Sequence, residues 1–244
     1  MFINKFQINS HNTHYDGHYS ASELEWRRLG AVDKVNNLEV TLAGRKLSSV
    51  LEVGCGTGAV LAEIARRGIG DRHVGIDMAD PAEHIDPGAK GLELHVYDGN
   101  RLPFADQSFD LVIASHVVEH VPDPRGFLTE LSRVSKGLLY LEVPCEMNVR
   151  SNSRAIQQSL GIGHINGYTP EYFMVLLQTA GLNVVDLRVF DHSFGVHKFG
   201  VSWLKGYARM AIRRGALRLA PKAATKLFCY HCGALAVCGP AERT

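Results

Sequence analysis

Long apolar runs are missing from this chain. Nowhere in its 244 residues do 18 apolar residues follow one another, and the first ten, Met-Phe-Ile-Asn-Lys-Phe-Gln-Ile-Asn-Ser, lack the continuous apolar core of a secretory signal. Cysteine is sparse as well: the five, at 55, 145, 229, 232 and 238, are odd in number and keep no framework spacing, which suits free thiols in a reducing compartment. A cytoplasmic protein is expected. Cys229 and Cys232 form a lone Cys-x-x-Cys with no second pair, so the spacing makes no zinc site. No Tyr-x-x-x-Lys occurs, which argues against a nicotinamide-dependent reductase, and there is neither an internal repeat nor a low-complexity segment.

What is present suits one compact α/β domain. A hydrophobic content of 45% over this length can bury a substantial core. Short β-rich runs at 49–53, 72–77, 92–97, 109–115, 137–143, 182–190 and 232–238 alternate with helical patterns at 58–67, 124–135 and 170–180. That alternation predicts a Rossmann-like, doubly wound, mainly parallel seven-stranded sheet, with a helical insertion before the last strand and ligands at the carboxyl ends of the strands. Asp80-Pro81 and Asp86-Pro87 leave room for little more than one helical turn between the second and third strands. The expected divisions are a helical N-terminal cap (1–45), a ligand-binding core (46–190), a basic helical lid (191–228) and a last strand with its tail (229–244).

The most informative stretch is Ser49-Val-Leu-Glu-Val-Gly-Cys-Gly-Thr-Gly58, an apolar strand running into glycines. Such a turn presents bare peptide groups against which a flat polar ligand can lie. The glycines alone are ambiguous, because Gly54, Gly56 and Ala59 also satisfy the dinucleotide pattern G-x-G-x-x-G/A. The acids around them point to one ligand. Glu52 precedes the first glycine, Asp77 ends the second strand and Asp98 follows the third. Carboxylates crowded together would repel a pyrophosphate, whereas an ammonium, a ribose diol and an adenine amino group each offer an acid a donor. That combination is S-adenosylmethionine.

With these motifs, and with Val-Gly-Ile-Asp (74–77), Tyr-Asp-Gly-Asn-Arg-Leu-Pro-Phe (97–104), Phe-Asp-Leu-Val-Ile-Ala-Ser (109–115) and Glu-His-Val-Pro-Asp-Pro (119–124), the chain resembles the class I S-adenosylmethionine-dependent methyltransferases. By that resemblance Gly54 and Gly56 would pass under the methionine part, with Cys55 between them. Asp77 would bind the ribose hydroxyls with Met78 beside it, and Asp98, followed by Gly99, would face the adenine amino group. Ser115 and His116 would border the sulfonium and the acceptor. The N-terminal segment, holding His11, His14, Tyr15, His18 and Tyr19, would fold over the cofactor, so that Tyr15 or Tyr19 closes the site. Behind it, Trp26, Leu29, Val32 and Val35 recur at helical spacing and are expected to pack into the core.

A base is needed chiefly when the methyl acceptor is a hydroxyl. The candidates are His116 and His120, which flank Glu119, and His164 in Gly-Ile-Gly-His-Ile-Asn-Gly-Tyr. His116, Glu119 and His120 stand at i, i+3 and i+4, so one helical turn would gather them, at a spacing that also suits a divalent metal. An acid-x-x-Glu-His arrangement in the ubiquinone-pathway O-methyltransferases resembles such a site, but here His116 stands where the acid would be. The ordinary alternative is that Glu119 and His120 brace the turn before Pro122, with no metal.

Charge is distributed unevenly. Residues 188–226 hold nine Lys or Arg and one acid, Asp191, against seventeen bases and twenty-four acids in the rest of the chain. Arg209, Arg213, Arg214, Arg218, Lys222 and Lys226 recur at near-helical spacing and are expected to lie opposite Trp203, Leu204, Tyr207, Met210, Ile212 and Leu217. Such a lid could bind phosphate, an acidic sugar or, through 201–226, the surface of an anionic membrane. Equally, its apolar side could pack on the domain and leave the bases solvated. Nucleic acid is disfavoured, because few aromatics interleave with the bases.

Leu141-Glu-Val-Pro-Cys-Glu-Met-Asn-Val-Arg150 and Trp26-Arg-Arg-Leu-Gly-Ala31 are similar to uncharacterised methyltransferases of polysaccharide and glycolipid biosynthesis clusters. The expected activity is O-methylation of a hydroxyl on a sugar, glycolipid or related anionic or lipid-linked metabolite. Methylation of a phenol, quinone precursor or secondary metabolite at O or N would use the same core with an aromatic-rich pocket. A non-catalytic S-adenosylmethionine-binding regulator would bind the cofactor without turnover.

Overall fold

The computed structural model of the protein describes residue 6, residues 20–80 and residues 84–238. Seven strands, β1 (Ser49–Val53), β2 (Arg72–Asp77), β3 (Glu93–Val96), β4 (Phe109–Ser115), β5 (Ser135–Pro144), β6 (Leu182–Phe190) and β7 (His231–Cys238), form one sheet. Its order is β3-β2-β1-β4-β5-β7-β6. The pairs from β3 to β5 are parallel, and β7 runs antiparallel to both of its neighbours. The chain order reverses between β1 and β4, so the crevice at their carboxyl ends is where a ligand fits.

Every residue of β1 is buried, as a central parallel strand covered on both faces requires. Its alternation divides the core. Val50 joins Leu111, Ile113, Tyr140 and Leu235 on one face, and Leu51 and Val53 join Val74, Val112, Leu139 and Leu141 on the other. Helices α1 (Ala21–Leu42) and α2 (Ala59–Arg66) cover the first face through Val35, Leu38, Leu42 and Ile64; α3 (Pro124–Val134) and α5 (Pro170–Thr179) cover the second through Leu128, Leu131, Phe173 and Leu177.

The α1 helix begins at a capping box between Ser20 and Glu23. Its buried stripe differs from the expected one. Trp26 and Val32 are exposed, and the line that packs is Ala31, Val35, Leu38 and Leu42. Between β2 and β3 the described residues form only a 3-10 turn at Pro87–Ala89, in keeping with the prolines there. One helix had no sequence forecast: α4 (Ser153–Gly161), capped by Asn152, buries none of its residues.

The insertion between β6 and β7 is α6 (Phe194–Lys198), α7 (Trp203–Leu219) and α8 (Pro221–Leu227). Gly206 seats α7 on α6, since a Cβ there would lie 2.7 Å from Lys198 Cα. The expected split into a packed apolar face and a solvated basic face does not hold. Trp203, Leu204, Tyr207 and Ile212 are all exposed, and Arg213 is one of the residues facing the domain.

Candidate functional site

The glycine turn after β1 is built from left-handed backbone: φ is 77° at Gly54, 51° at Gly56 and 74° at Gly58. A Cβ on Gly54 would lie 2.4 Å from Val117 Cγ2, so this position has neither the conformation nor the space for a side chain. Asp77, at the end of β2, ties the turn to its own strand. One carboxylate oxygen accepts the Gly56 N–H at 2.7 Å and the other accepts that of Ala79 at 3.1 Å. Asp98 accepts the Asn100 N–H at 2.9 Å, which lowers its carboxyl pKa. Gly99 leaves room for the Met78 sulfur, which would otherwise meet a Cβ at 2.8 Å.

These loops enclose a cavity of about 410 Å³, lined by the expected Gly54, Gly56, Asp77, Met78, Asp98, Gly99, His116 and His120. Arg27, Tyr97, Asn100, Val117, Val121, Pro122, Phe127 and Ile162 complete the lining. Three expected cofactor residues do not reach it. Glu52, Cys55 and Ser115 are buried, and the Ser115 hydroxyl has no hydrogen-bond partner among the described residues. Burial pushes the Cys55 thiol pKa up and raises the Glu52 carboxyl to about 8. Tyr19, like His11, His14, Tyr15 and His18, lies outside the described residues. Among the residues missed, Arg27 lies in α1, remote in sequence from every glycine and acid motif. Tyr97 and Asn100 sit inside a motif already quoted, and only their roles escaped notice.

After β4 the chain turns sharply at His116, whose φ of 61° is unusual for a residue with a Cβ, and continues as a 3-10 turn at Val118–His120. The 3-10 turn and the kink divide the predicted trio: His116 stays beside Glu119 but does not cluster with both Glu119 and His120 among the described residues. Among the described residues, ligand atoms of Glu119, His120 and His164 converge within 4.8 Å, and so do those of His116, Glu142 and His231. Either set, two imidazoles and a carboxylate, has the composition of a divalent-metal site. His116 connects them: its Nε2 is 3.1 Å from His231 Nδ1, and its Nδ1 is 3.4 Å from Glu119 Oε1.

The second set continues inward. Glu142 Oε1 is 3.2 Å from His231 Nδ1, while its Oε2 accepts from Tyr140 Oη at 2.6 Å and from Asn37 Nδ2 at 3.1 Å. Burial works against ionisation of Glu142, but the hydrogen bonds from His116 and His231 prevail and hold its pKa well below the carboxylate range. Burial, with Lys34 and His231 nearby, pushes His116 well below the usual histidine value and keeps it neutral. Lys34 is pulled down by burial and supported by Glu142, Glu52 and Glu119.

His164 does not line the cavity. It stands edge-on to His120 at 4.7 Å between ring centres, with its Nδ1 3.0 Å from Glu146 Oε2, and His120 Nδ1 lies 3.1 Å from the Gly163 carbonyl. Glu119 is wholly buried, neither of its oxygens has a hydrogen-bond partner among the described residues, and burial raises its pKa to about 7. Because the folded value exceeds the unfolded one, ionising Glu119 costs stability as pH rises from about 4.5 to about 7, and the cost stays constant above that. Glu119→Gln is therefore expected to match the parent near pH 4.5 and to be more stable by up to about 3 kcal/mol at pH 8. Thermal melts at both pH values check this; equal differences at the two would refute it.

A family model described as a methyltransferase domain matches residues 23–187, more than half of the chain. This protein belongs to that methyltransferase family. An uncharacterized methyltransferase of Mycobacterium sp. (strain JLS) is 43% identical over 100 residues, a stretch that covers 40% of this chain and 37% of the relative. A ubiquinone biosynthesis O-methyltransferase of Ruegeria sp. (strain TM1040) is 29% identical over 71% of this methyltransferase-family chain and 74% of its own. Among solved structures, an S-adenosylmethionine-dependent methyltransferase from Aquifex aeolicus matches with a TM-score of 0.56 and 19% identity, covering 91% of this chain and all of that one. The [4+2]-cyclase SpnF matches with a TM-score of 0.61 and 18% identity, over 87% and 82%. These structural likenesses concern the fold alone, which a cyclase and a methyltransferase share.

Proposed function

We propose that this protein is an S-adenosylmethionine-dependent O-methyltransferase acting on a hydroxyl of a sugar, glycolipid or related lipid-linked metabolite. The cavity is of a size ordinary for small-molecule sites. Its residues fit the cofactor: a side-chain-free turn at Gly54 and Gly56 for the methionine part, Asp77 for the ribose hydroxyls, and Asp98 with Gly99 for the adenine edge. S-adenosylmethionine, when bound, supplies an electrophilic methyl group on a sulfonium.

The observation that carries the choice of a hydroxyl acceptor is the imidazole of His116 at the cavity wall, with His231 and the Glu142 carboxylate behind its Nε2 side. An amine attacks through its own lone pair, whereas a hydroxyl must give up its proton, and a neutral imidazole can take it. In this reading His116 Nδ1 receives the proton. The resulting imidazolium is stabilised by Glu142 on its Nε2 side and by Glu119 on its Nδ1 side. Tyr140 and Asn37 hold the Glu142 carboxylate in place, so its charge is oriented toward His116 before substrate arrives. His120 lines the same wall, and His164, behind it and bonded to Glu146, positions it.

A phenolic or quinone-precursor acceptor is the second reading, favoured by the Ruegeria relative named as a ubiquinone biosynthesis O-methyltransferase. Label transfer separates the two. Purified protein is incubated with methyl-labelled S-adenosylmethionine and an extract of host cells lacking the enzyme, and the products are divided into lipid, polymer and small-molecule fractions. Label in lipid or glycan is the expected result; label confined to small molecules would transfer the assignment to the second reading.

A further inference from the structure

One side of α7 faces the domain. Gly206 is buried against Lys198, and Met210, Arg213 and Leu217, about one, two and three helical turns further on, are half-buried. Arg213 is fixed by Asp191 at 2.7 Å and by the Cys229 carbonyl, and the Tyr230 hydroxyl donates to the Arg213 carbonyl at 2.7 Å. On the opposite side, Leu204, Ala208, Ala211, Ile212 and Leu219 recur at i, i+4, i+7, i+8 and i+15, which puts them in one stripe. That stripe points away from the protein: Leu204 is 75% exposed, Ile212 61% and Leu219 86%.

The stripe has a basic border on each side. Lys205 and Arg209, at i and i+4, flank one edge, and Arg214 and Arg218, also at i and i+4, flank the other; all four are exposed. Trp203 and Tyr207, stacked at 5.5 Å and both exposed, lie beside Arg214 and Arg218. From His192 to Ala241 the sequence contains no acidic residue. Asp191, just before, has its carboxylate engaged by His197 and Arg213.

We propose that α7 lies flat on an anionic lipid surface, with Leu204, Ile212 and Leu219 entering the boundary between headgroups and acyl chains. The Lys and Arg stems run along the apolar stripe while their charged ends reach lipid phosphates, and the Trp203–Tyr207 pair sits at the same interface. Charge complementarity selects this occupant. A second copy placed on the same face by two-fold symmetry would bring these bases against their own equivalents. A polyphosphate backbone would leave the apolar stripe, the most exposed part of the helix, facing charge. The attachment does not depend on which acceptor is methylated, so it can be tested without substrate.

The test is sedimentation of the full chain with vesicles of phosphatidylcholine alone or phosphatidylcholine carrying phosphatidylglycerol. Sedimentation with the anionic vesicles only, reversed by salt, is expected, since each base near the surface contributes about fivefold. Leu204→Ser/Ile212→Ser/Leu219→Ser keeps the charge and is expected to lose at least about tenfold of the binding. Lys205→Glu/Arg209→Glu/Arg218→Glu should abolish it. All six positions are exposed, and thermal melts verify that both variants fold. In a Trp26→Phe background, Trp203 emission should shift to the blue on binding. Equal partitioning of parent and serine variant would overturn the proposal. So would a parent that ignores anionic vesicles and is a dimer that the serine variant converts to a monomer.

Discussion

An Asp77→Ala variant is expected to bind S-adenosylmethionine about a hundredfold more weakly than the parent in a calorimetric titration. The side chain has two tasks in one place. It would meet the ribose hydroxyls, and its two oxygens already hold the N–H groups of Gly56 and Ala79. Each hydrogen bond to a charged acceptor is worth about 1.5–3 kcal/mol, and a hundredfold in affinity corresponds to about 2.7 kcal/mol, so loss of the turn alone can account for the effect. Asp77→Asn should fall between the two. An amide has one acceptor oxygen, so whichever way it is turned either Gly56 or Ala79 loses its partner. A dissociation constant for Asp77→Ala within about threefold of the parent would remove Asp77 from the cofactor site.

The second large effect is expected at His116. His116→Asn retains a residue that tolerates left-handed backbone and removes the imidazole, so the turn after β4 should persist. Turnover should fall by about a hundredfold to ten-thousandfold, the range for loss of a general base, while cofactor affinity stays within about threefold. The pH profile gives an independent readout. Burial holds the parent's His116 below the usual histidine value, so its rate should persist on the acid side until pH falls through that lowered value. Glu142 partly offsets the burial. Glu142→Gln should therefore move the acid limb still lower and reduce turnover as well. Undiminished turnover in His116→Asn would make His120, the other imidazole on the cavity wall, the next residue to replace.

The parts of the molecule legible in the sequence are those set by local rules. Strand β1 was readable because a short apolar run leads into a glycine turn, Asp77 because it ends a strand and Asp98 because it follows one. What escaped depends on pairing across the sheet. Nothing near His116 in sequence announces that His231, 115 residues later, will stand 3.1 Å from it; the antiparallel register that pairs Glu142 with Gly233 and Pro144 with His231 brings them together. Likewise the i, i+3, i+4 reading of His116, Glu119 and His120 assumed a helix from the first residue. The left-handed turn at His116 sets that ring between Glu142 on one side and Glu119 on the other, and it is His164 that joins Glu119 and His120. The basic segment was recognised as helical, but composition could not tell which face would meet the domain. A glycine at 206 and an arginine at 213 face it, and two of its leucines and an isoleucine do not.

The antiparallel last strand also bears on how such a chain can diversify. Phe190, the final residue of β6, is the cross-strand partner of His231, the first of β7. Everything from 191 to 230 is thus a detour that leaves the sheet and re-enters it at neighbouring positions, like the loop of an enlarged hairpin. The entropy of closing a loop grows only slowly with its length, so segments of very different size could occupy this detour at little cost to the sheet. The strands that carry the glycine turn, Asp77 and Asp98 precede the exit point, and His231 follows the re-entry. Exchanging the detour would replace the basic helices, and with them the His192 ring that packs 4.2 Å from His231, while leaving the loops of the cofactor pocket in their frame, which makes 190 and 231 natural junctions for building chimaeras.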